Sequence, residues 1–162
     1  MLCDEMLKGV GRWLRAAGYD AAIVDDGAGD DALLARARAE RRLLLTCDRR
    51  LAARVGNDPA LAVLASERPD EAARELAARF GIDWLHAPFS RCLVDNARLV
   101  PADERDVARL PAAARQGPGP NRRCPTCGRL YWPGSHVRRM RARLTGWQRS
   151  GRCVRDPLAC SP

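Results

Sequence analysis

Lysine is nearly absent from this 162-residue chain: Lys8 stands alone, so almost all of the 28 basic side chains are arginine. Aromatic residues are scarce at 5% and histidines number two, of which only His86 falls in the first half. Chemistry in that half must therefore rest on groups other than imidazole. No run approaches the roughly 18 apolar residues of a membrane span, so no membrane association is expected. The opening Met1-Leu-Cys-Asp-Glu5 has neither a basic leader nor an apolar secretory segment, and the expected location is cytoplasmic. No internal repeat is visible.

Seven cysteines are an odd number, and without a secretory context they do not suggest a disulfide framework. Cys124-Pro-Thr-Cys127-Gly128 instead has the form of a metal knuckle, with Gly128 permitting the turn that brings two thiolates together.

The charge is divided unevenly. Residues 1–88 carry 13 basic and 15 acidic side chains, a net of −2, while residues 89–162 carry 15 and 5, a net of +10. A basic half joined to a mildly acidic one suits contact with a polyanion such as nucleic acid. In the basic half, Arg122 and Arg123 precede the knuckle, and Arg138, Arg139, Arg141 and Arg143 share one short segment. Val137, Met140 and Leu144 of that segment are spaced to pack inward and leave these guanidinium groups outside.

Apolar spacing predicts helices over Met6–Ala17, Ala32–Glu40, Arg49–Val55 and Pro69–Phe80, with Gly18 and Gly81 as stops and Pro69 at an N1 position. Between them lie short apolar runs at Met1–Cys3, Ala21–Val24, Leu43–Thr46 and Leu61–Leu64. This alternation predicts an α/β fold with a small parallel sheet flanked by helices on both faces. Expected units are 1–88 for this domain, 89–145 for a cysteine-bearing unit with a basic helix from His136 to Leu144, and 146–162 for a disordered tail.

Asp4 follows the first strand and Asp48 the third. For a strand order of 2-1-3-4 these strands are neighbours, and ligands gather beyond the carboxyl ends of such strands. Asp30 or Asp31, at the start of the second helix, could add a carboxylate to the same mouth. Crowded carboxylates stay ionised when cations bind between them, and a bound divalent metal activates water for phosphodiester hydrolysis. The plainer alternative is that Asp48 caps the helix at Arg49, that Asp30 or Asp31 caps the one at Ala32, and that Asp4-Glu5 serve as first-turn acids.

Six segments in order, Leu2-Cys-Asp-Glu-Met-Leu7, Trp13-Leu-Arg-Ala-Ala-Gly-Tyr-Asp20, Asp30-Asp-Ala-Leu-Leu34, Leu43-Leu-Leu-Thr-Cys-Asp48, Cys124-Pro-Thr-Cys-Gly128 and Tyr131-Trp-Pro-Gly-Ser-His136, resemble successive motifs of one family. It is the Mut-seven C-terminal RNase domain, a PIN-like group fused to a zinc ribbon. The resemblance implies a PIN-like sheet with a C-terminal ribbon, RNA as partner, and Mg²⁺- or Mn²⁺-dependent cleavage. It places the acidic site at Asp4, Asp30 with Asp31 adjacent, and Asp48; it does not place a fourth acid, for which Asp58, Glu67 and Asp70 are candidates without a motif. The family carries two Cys-x-x-Cys pairs, whereas the first pair here reads Cys92-Leu-Val-Asp95. The implied Zn²⁺ set is Cys92, Cys124 and Cys127 with Asp95 as fourth ligand, His136 and Cys153 being alternatives. Trp132 either stacks on RNA bases or, as the favoured expectation, fills the ribbon core. Cys3 and Cys47, flanked by apolar strands, are expected to be buried and inert.

The combined expectation is a metal-dependent ribonuclease whose ribbon assists RNA binding. Its rivals are a non-catalytic RNA-binding module and a toxin-like PIN protein with an antitoxin partner.

Overall fold

The short apolar runs form strands that pair in parallel. In a computed structural model describing residues 1–24, 27 and 29–155, with side chains to Gly151, β1 (Leu2–Cys3) lies between β2 (Ala22–Ile23) and β3 (Leu44–Thr46), and β4 (Leu61–Val63) flanks β3. The order is β2-β1-β3-β4, with Cys3 opposite both Ile23 and Leu45. Successive strand side chains point to opposite faces, and the core divides accordingly. Cys3, Leu45 and Ala62 face one apolar cluster, while Leu2 and Leu44 face another.

Helices cover both faces. α1 (Lys8–Ala16) and α4 (Pro69–Phe80) supply Val10, Leu14, Ala73 and Leu76 to the first cluster. α2 (Asp30–Ala39) and α3 (Arg49–Val55) supply Leu33, Leu34, Ala37 and Leu51 to the second. α1 lies so near the sheet that a Cβ at Gly11 would stand 2.7 Å from Ile23 Cγ1. At Gly18, φ is +99° and the Ala87 carbonyl passes where a side chain would start, so both the turn and the close approach require glycine.

A second, antiparallel sheet of order β5-β6-β7 follows, from Val100–Pro101, Arg122–Arg123 and Leu130–Tyr131. Between β5 and β6 lie two short helices, α5 (Glu104–Ala108) and α6 (Ala112–Arg115), the first closed by a reciprocal Asp103/Asp106 capping box. The final helix, α7, runs from Ser135 to Arg155.

α7 corrects two expectations. It does not stop at Leu144, and much of the segment expected to be a disordered tail is helical; residues 156–162 lie outside the described ones. Nor does it pack on the cysteine-bearing unit alone. Leu144 and Trp147 enter the first apolar cluster, and α7 lies along α4, with Gly151 close against Ala77. Trp147 meets Trp13 and Trp84 edge to face at 4.8 and 5.0 Å. This burial outweighs the weak helix propensity of the Thr145-Gly146 step. Among the described residues no helix is long and apolar enough to cross a membrane.

Candidate active site and metal centre

Three elements bring their acids to one place. Asp4 lies just past β1, Asp30 in the first turn of α2, and Asp48 just past β3; together with Glu5, Thr46 and Leu51 they line a cavity of about 180 Å³ at the carboxyl edge of the parallel sheet. Asp4 is 7% exposed. Burial pushes its carboxyl above the ordinary value, against hydrogen bonds from Thr46 and from the amides of Leu7, Cys47 and Met6. Asp4 Oδ1 accepts from Leu7 N–H at 3.0 Å, which serves the start of α1 where no side-chain cap exists.

Asp48 does cap α3, its Oδ1 accepting Arg50 N–H at 2.7 Å. A capping role and a place in the mouth are compatible, since Oδ2 accepts no hydrogen bond among the described residues. Thr46 ties the two carboxylates together: its hydroxyl bonds Asp4 while its oxygen accepts Asp48 N–H at 2.9 Å. Thr46 is 2% exposed. Its role escapes a reading by apolar run, although a polar residue closing an otherwise apolar buried strand is a usable signal.

The other acids separate. Asp31, whose side chain is 84% exposed, does not line the cavity and pairs with Arg54 at 3.0 Å; the same guanidinium stands 3.5 Å from Asp30. Neither acid is the α2 N-cap, which is Gly29. Asp58 is held by Arg38 and by Ala60 N–H before β4, away from the strands' carboxyl ends. Asp70 receives Arg143 and Trp147 Nε1–H, which ties α4 to α7. Glu67 remains at the edge where β4 ends. Burial first, then the charges of Asp4, Glu67 and Glu75, push the half-buried Cys47 thiol up to about 11. Cys3 is fully buried, and burial pushes its thiol to about 12. Neither thiol is readily ionised.

Cys92, Asp95, Cys124 and Cys127 converge, with one ligand atom from each lying within 4.8 Å of all the others. Zinc–sulfur bonds of about 2.3 Å in a tetrahedron place sulfurs about 3.8 Å apart, and Cys92 Sγ to Cys127 Sγ is 3.7 Å. Asp95 oxygens stand 3.1 and 3.3 Å from Cys124 Sγ. The amides of Val94 and Cys127 donate to Cys92 and Cys124 sulfur at 3.4 Å, and Tyr131 Oη lies 3.2 Å from Cys92 Sγ. Burial works against an ionised Asp95, yet bonds from Cys127, Ala97 N–H, Cys124 and Cys92 hold its carboxyl down at about 2. The donor set and spacing fit a tetrahedral thiophilic cation.

His136 stands exposed in the first turn of α7, outside this cluster, and the side chain of Cys153 lies outside the described residues. The aromatic filling the small core is Tyr131, packed with Cys92, Leu99 and Cys124, rather than Trp132.

The six arginines expected at RNA also divide. Arg123 is bound to Asp106 at 2.9 Å, and Arg143 to Asp70 at 2.9 Å while lying 5.2 Å from the rings of Trp13 and Trp147. Arg122, Arg138, Arg139 and Arg141 meet no carboxylate among the described residues. Arg15 is a buried cation that stands outside the expected site residues. Burial lowers its pKa, and its guanidinium donates to the carbonyls of Ala21, Leu93 and Val94 at 2.6–3.1 Å, fastening the 92–95 loop to the sheet domain.

A parallel sheet with acids at its carboxyl edge is thus joined to a cysteine-bearing antiparallel unit. The family model of the Mut7-C RNAse domain matches residues 1–144, and the chain belongs to that family. It is also similar to the human protein named exonuclease mut-7 homolog, at 34% identity over 100 residues. That match covers 59% of this chain and 11% of the human protein, so the chain spans a small part of that relative's length. No solved structure matches the chain.

Proposed function

We propose that the chain is a divalent-metal-dependent ribonuclease that hydrolyses RNA phosphodiester bonds at the mouth formed by Asp4, Asp30 and Asp48. The observation that carries this reading is the convergence of three acids from three separate elements on one cavity at the carboxyl edge of the sheet. The oxygen-only donor set suits Mg²⁺ or Mn²⁺. The bound ion would lower the pKa of water and offset charge on the leaving oxygen. Thr46 and the Leu7 amide orient Asp4, and the Arg50 amide orients Asp48. In the second unit, Cys92, Asp95, Cys124 and Cys127 hold Zn²⁺ as a structural staple. Arg122, Arg138, Arg139 and Arg141 attract the RNA backbone.

Asp4→Asn and Asp48→Asn test the reading. Both replacements keep an oxygen that can accept the Leu7 or Arg50 amide, so the fold should persist. Cleavage of single-stranded RNA should fall by more than the roughly 10–100-fold that an outer-shell change costs. Wild-type cleavage rates in both variants would remove the catalytic assignment.

A further inference from the structure

Of the four tryptophans, three belong to the interior of the sheet domain and one does not. Trp132 is half-buried, lies outside every apolar cluster, and forms a wall shared by three adjoining clefts of about 100, 310 and 560 Å³. Its indole is seated by a glycine: a Cβ at Gly134 would stand 2.8 Å from Trp132 Nε1. Arg122 and Arg141 line the narrow cleft, Arg129 the widest and Arg138 the third. None of the four meets a carboxylate among the described residues. Arg141 also lies 5.5 Å from the ring of Phe89, the other aromatic wall of the narrow cleft.

A half-buried indole lining three clefts beside guanidinium groups that meet no carboxylate among the described residues matches a ligand that presents a flat ring beside phosphates. A duplex hides its bases in the stack, so the fit is to a single strand. We infer that Trp132 is a stacking platform for an unpaired nucleobase of single-stranded RNA, with Arg122, Arg129, Arg138 and Arg141 neutralising the flanking phosphates. This inference rests on the ribonuclease reading and deepens it, by giving the substrate a second point of attachment away from the acidic mouth. The platform reads ring shape rather than base identity, so it tolerates any sequence.

The test is equilibrium binding of a fluorescein-labelled single-stranded oligoribonucleotide to the full zinc-loaded chain, with Mg²⁺ and Mn²⁺ withheld so that no RNA is cut. Trp132→Ala should weaken binding by about tenfold or more, as loss of one stacked base does. Trp132→Phe should stay within a few-fold of wild type. Gly134→Ala, which crowds the indole without removing it, should weaken binding while zinc content stays unchanged. An abasic oligonucleotide of equal length should bind wild type and Trp132→Ala alike. Equal affinity of wild type and Trp132→Ala for the base-bearing strand overturns the platform and leaves the ribonuclease reading standing. Failure of the wild type to bind the base-bearing strand at all overturns both.

Discussion

The two sheets of this molecule solve stability differently. The parallel sheet is sandwiched between two apolar clusters that together bury more than twenty side chains, whereas the antiparallel sheet encloses four: Cys92, Leu99, Cys124 and Tyr131. Two of those four are metal-site cysteines. A unit with so little core usually depends on a staple. The acidic site therefore sits on a scaffold held by packing, while the second unit has little core beyond the residues that could hold a metal. The contrast suits the proposed function: catalytic acids would need rigid placement, and a surface that grips RNA would need mainly exposed arginines.

The sharpest way to break this comparison is to remove a ligand. Cys124→Ser should release the zinc and abolish protection from hydrogen exchange over residues 92–131, leaving residues 1–80 protected. Structural zinc in small domains contributes on the order of 10–16 kcal/mol of apparent binding energy, more than four core residues supply. Asp95→Cys should tighten the metal. Unchanged protection of residues 92–131 after zinc loss would mean that the small core suffices.

The next largest effect tests where the boundary lies. Leu144 is fully buried, and its neighbours Val137, Met140 and Trp147 pack on the same cluster as α1 and α4. Leu144→Ala should cost the sheet domain about 2–5 kcal/mol in urea denaturation while leaving zinc affinity unchanged. Weakened zinc binding with an unaltered sheet transition would instead assign α7 to the ribbon.

Much of the sheet domain is legible in the sequence. α3 and α4 begin and end where expected, because Asp48, Pro69 and Gly81 mark those positions chemically. The strands alternate with helices as the apolar runs require. Less of the second unit can be read. Strands of two residues have no measurable period, and Tyr131 and Trp132 differ only in which face the chain presents. Thr145-Gly146 looks like an ending, yet Trp147 one residue later decides the matter by a contact with residues far away in sequence. Arg15 is hidden for a related reason: arginine is read as a surface residue, and two of the three carbonyls that accept its guanidinium, those of Leu93 and Val94, come from far along the chain. For the acids, position after a strand is visible, but the separation of Asp30 from Asp31 depends on helix phase and on Arg54.

The smallest predicted effect concerns the clasp between the two regions. Asp20, at the entrance to β2, accepts both guanidinium bonds of Arg42 at 2.8 and 3.2 Å and also Asn96 Nδ2–H, from the loop of the second unit, at 2.7 Å. The Arg42 bonds, partly opposed by burial and aided by Asn96, hold the Asp20 carboxyl at about 2, below its ordinary 3.8. A carboxyl depressed in the folded state stabilises the fold above its unfolded value and loses that contribution as pH falls through the folded value. The clasp should thus be complete above about pH 4 and weaken toward pH 2. Asp20 is 45% exposed as a side chain, so solvent screens the pair and its worth should stay below about 1 kcal/mol. Asp20→Asn isolates the charge, because the amide oxygen still accepts Asn96 Nδ2–H. Acid also protonates the thiolate ligands, but in both proteins alike. The difference in unfolding free energy between wild type and Asp20→Asn is therefore the quantity to follow. It should be steady near neutral pH and shrink as the pH drops below about 4. A difference that grows in acid would reverse the sign and place the stabilising interaction on some group other than the Asp20 carboxylate.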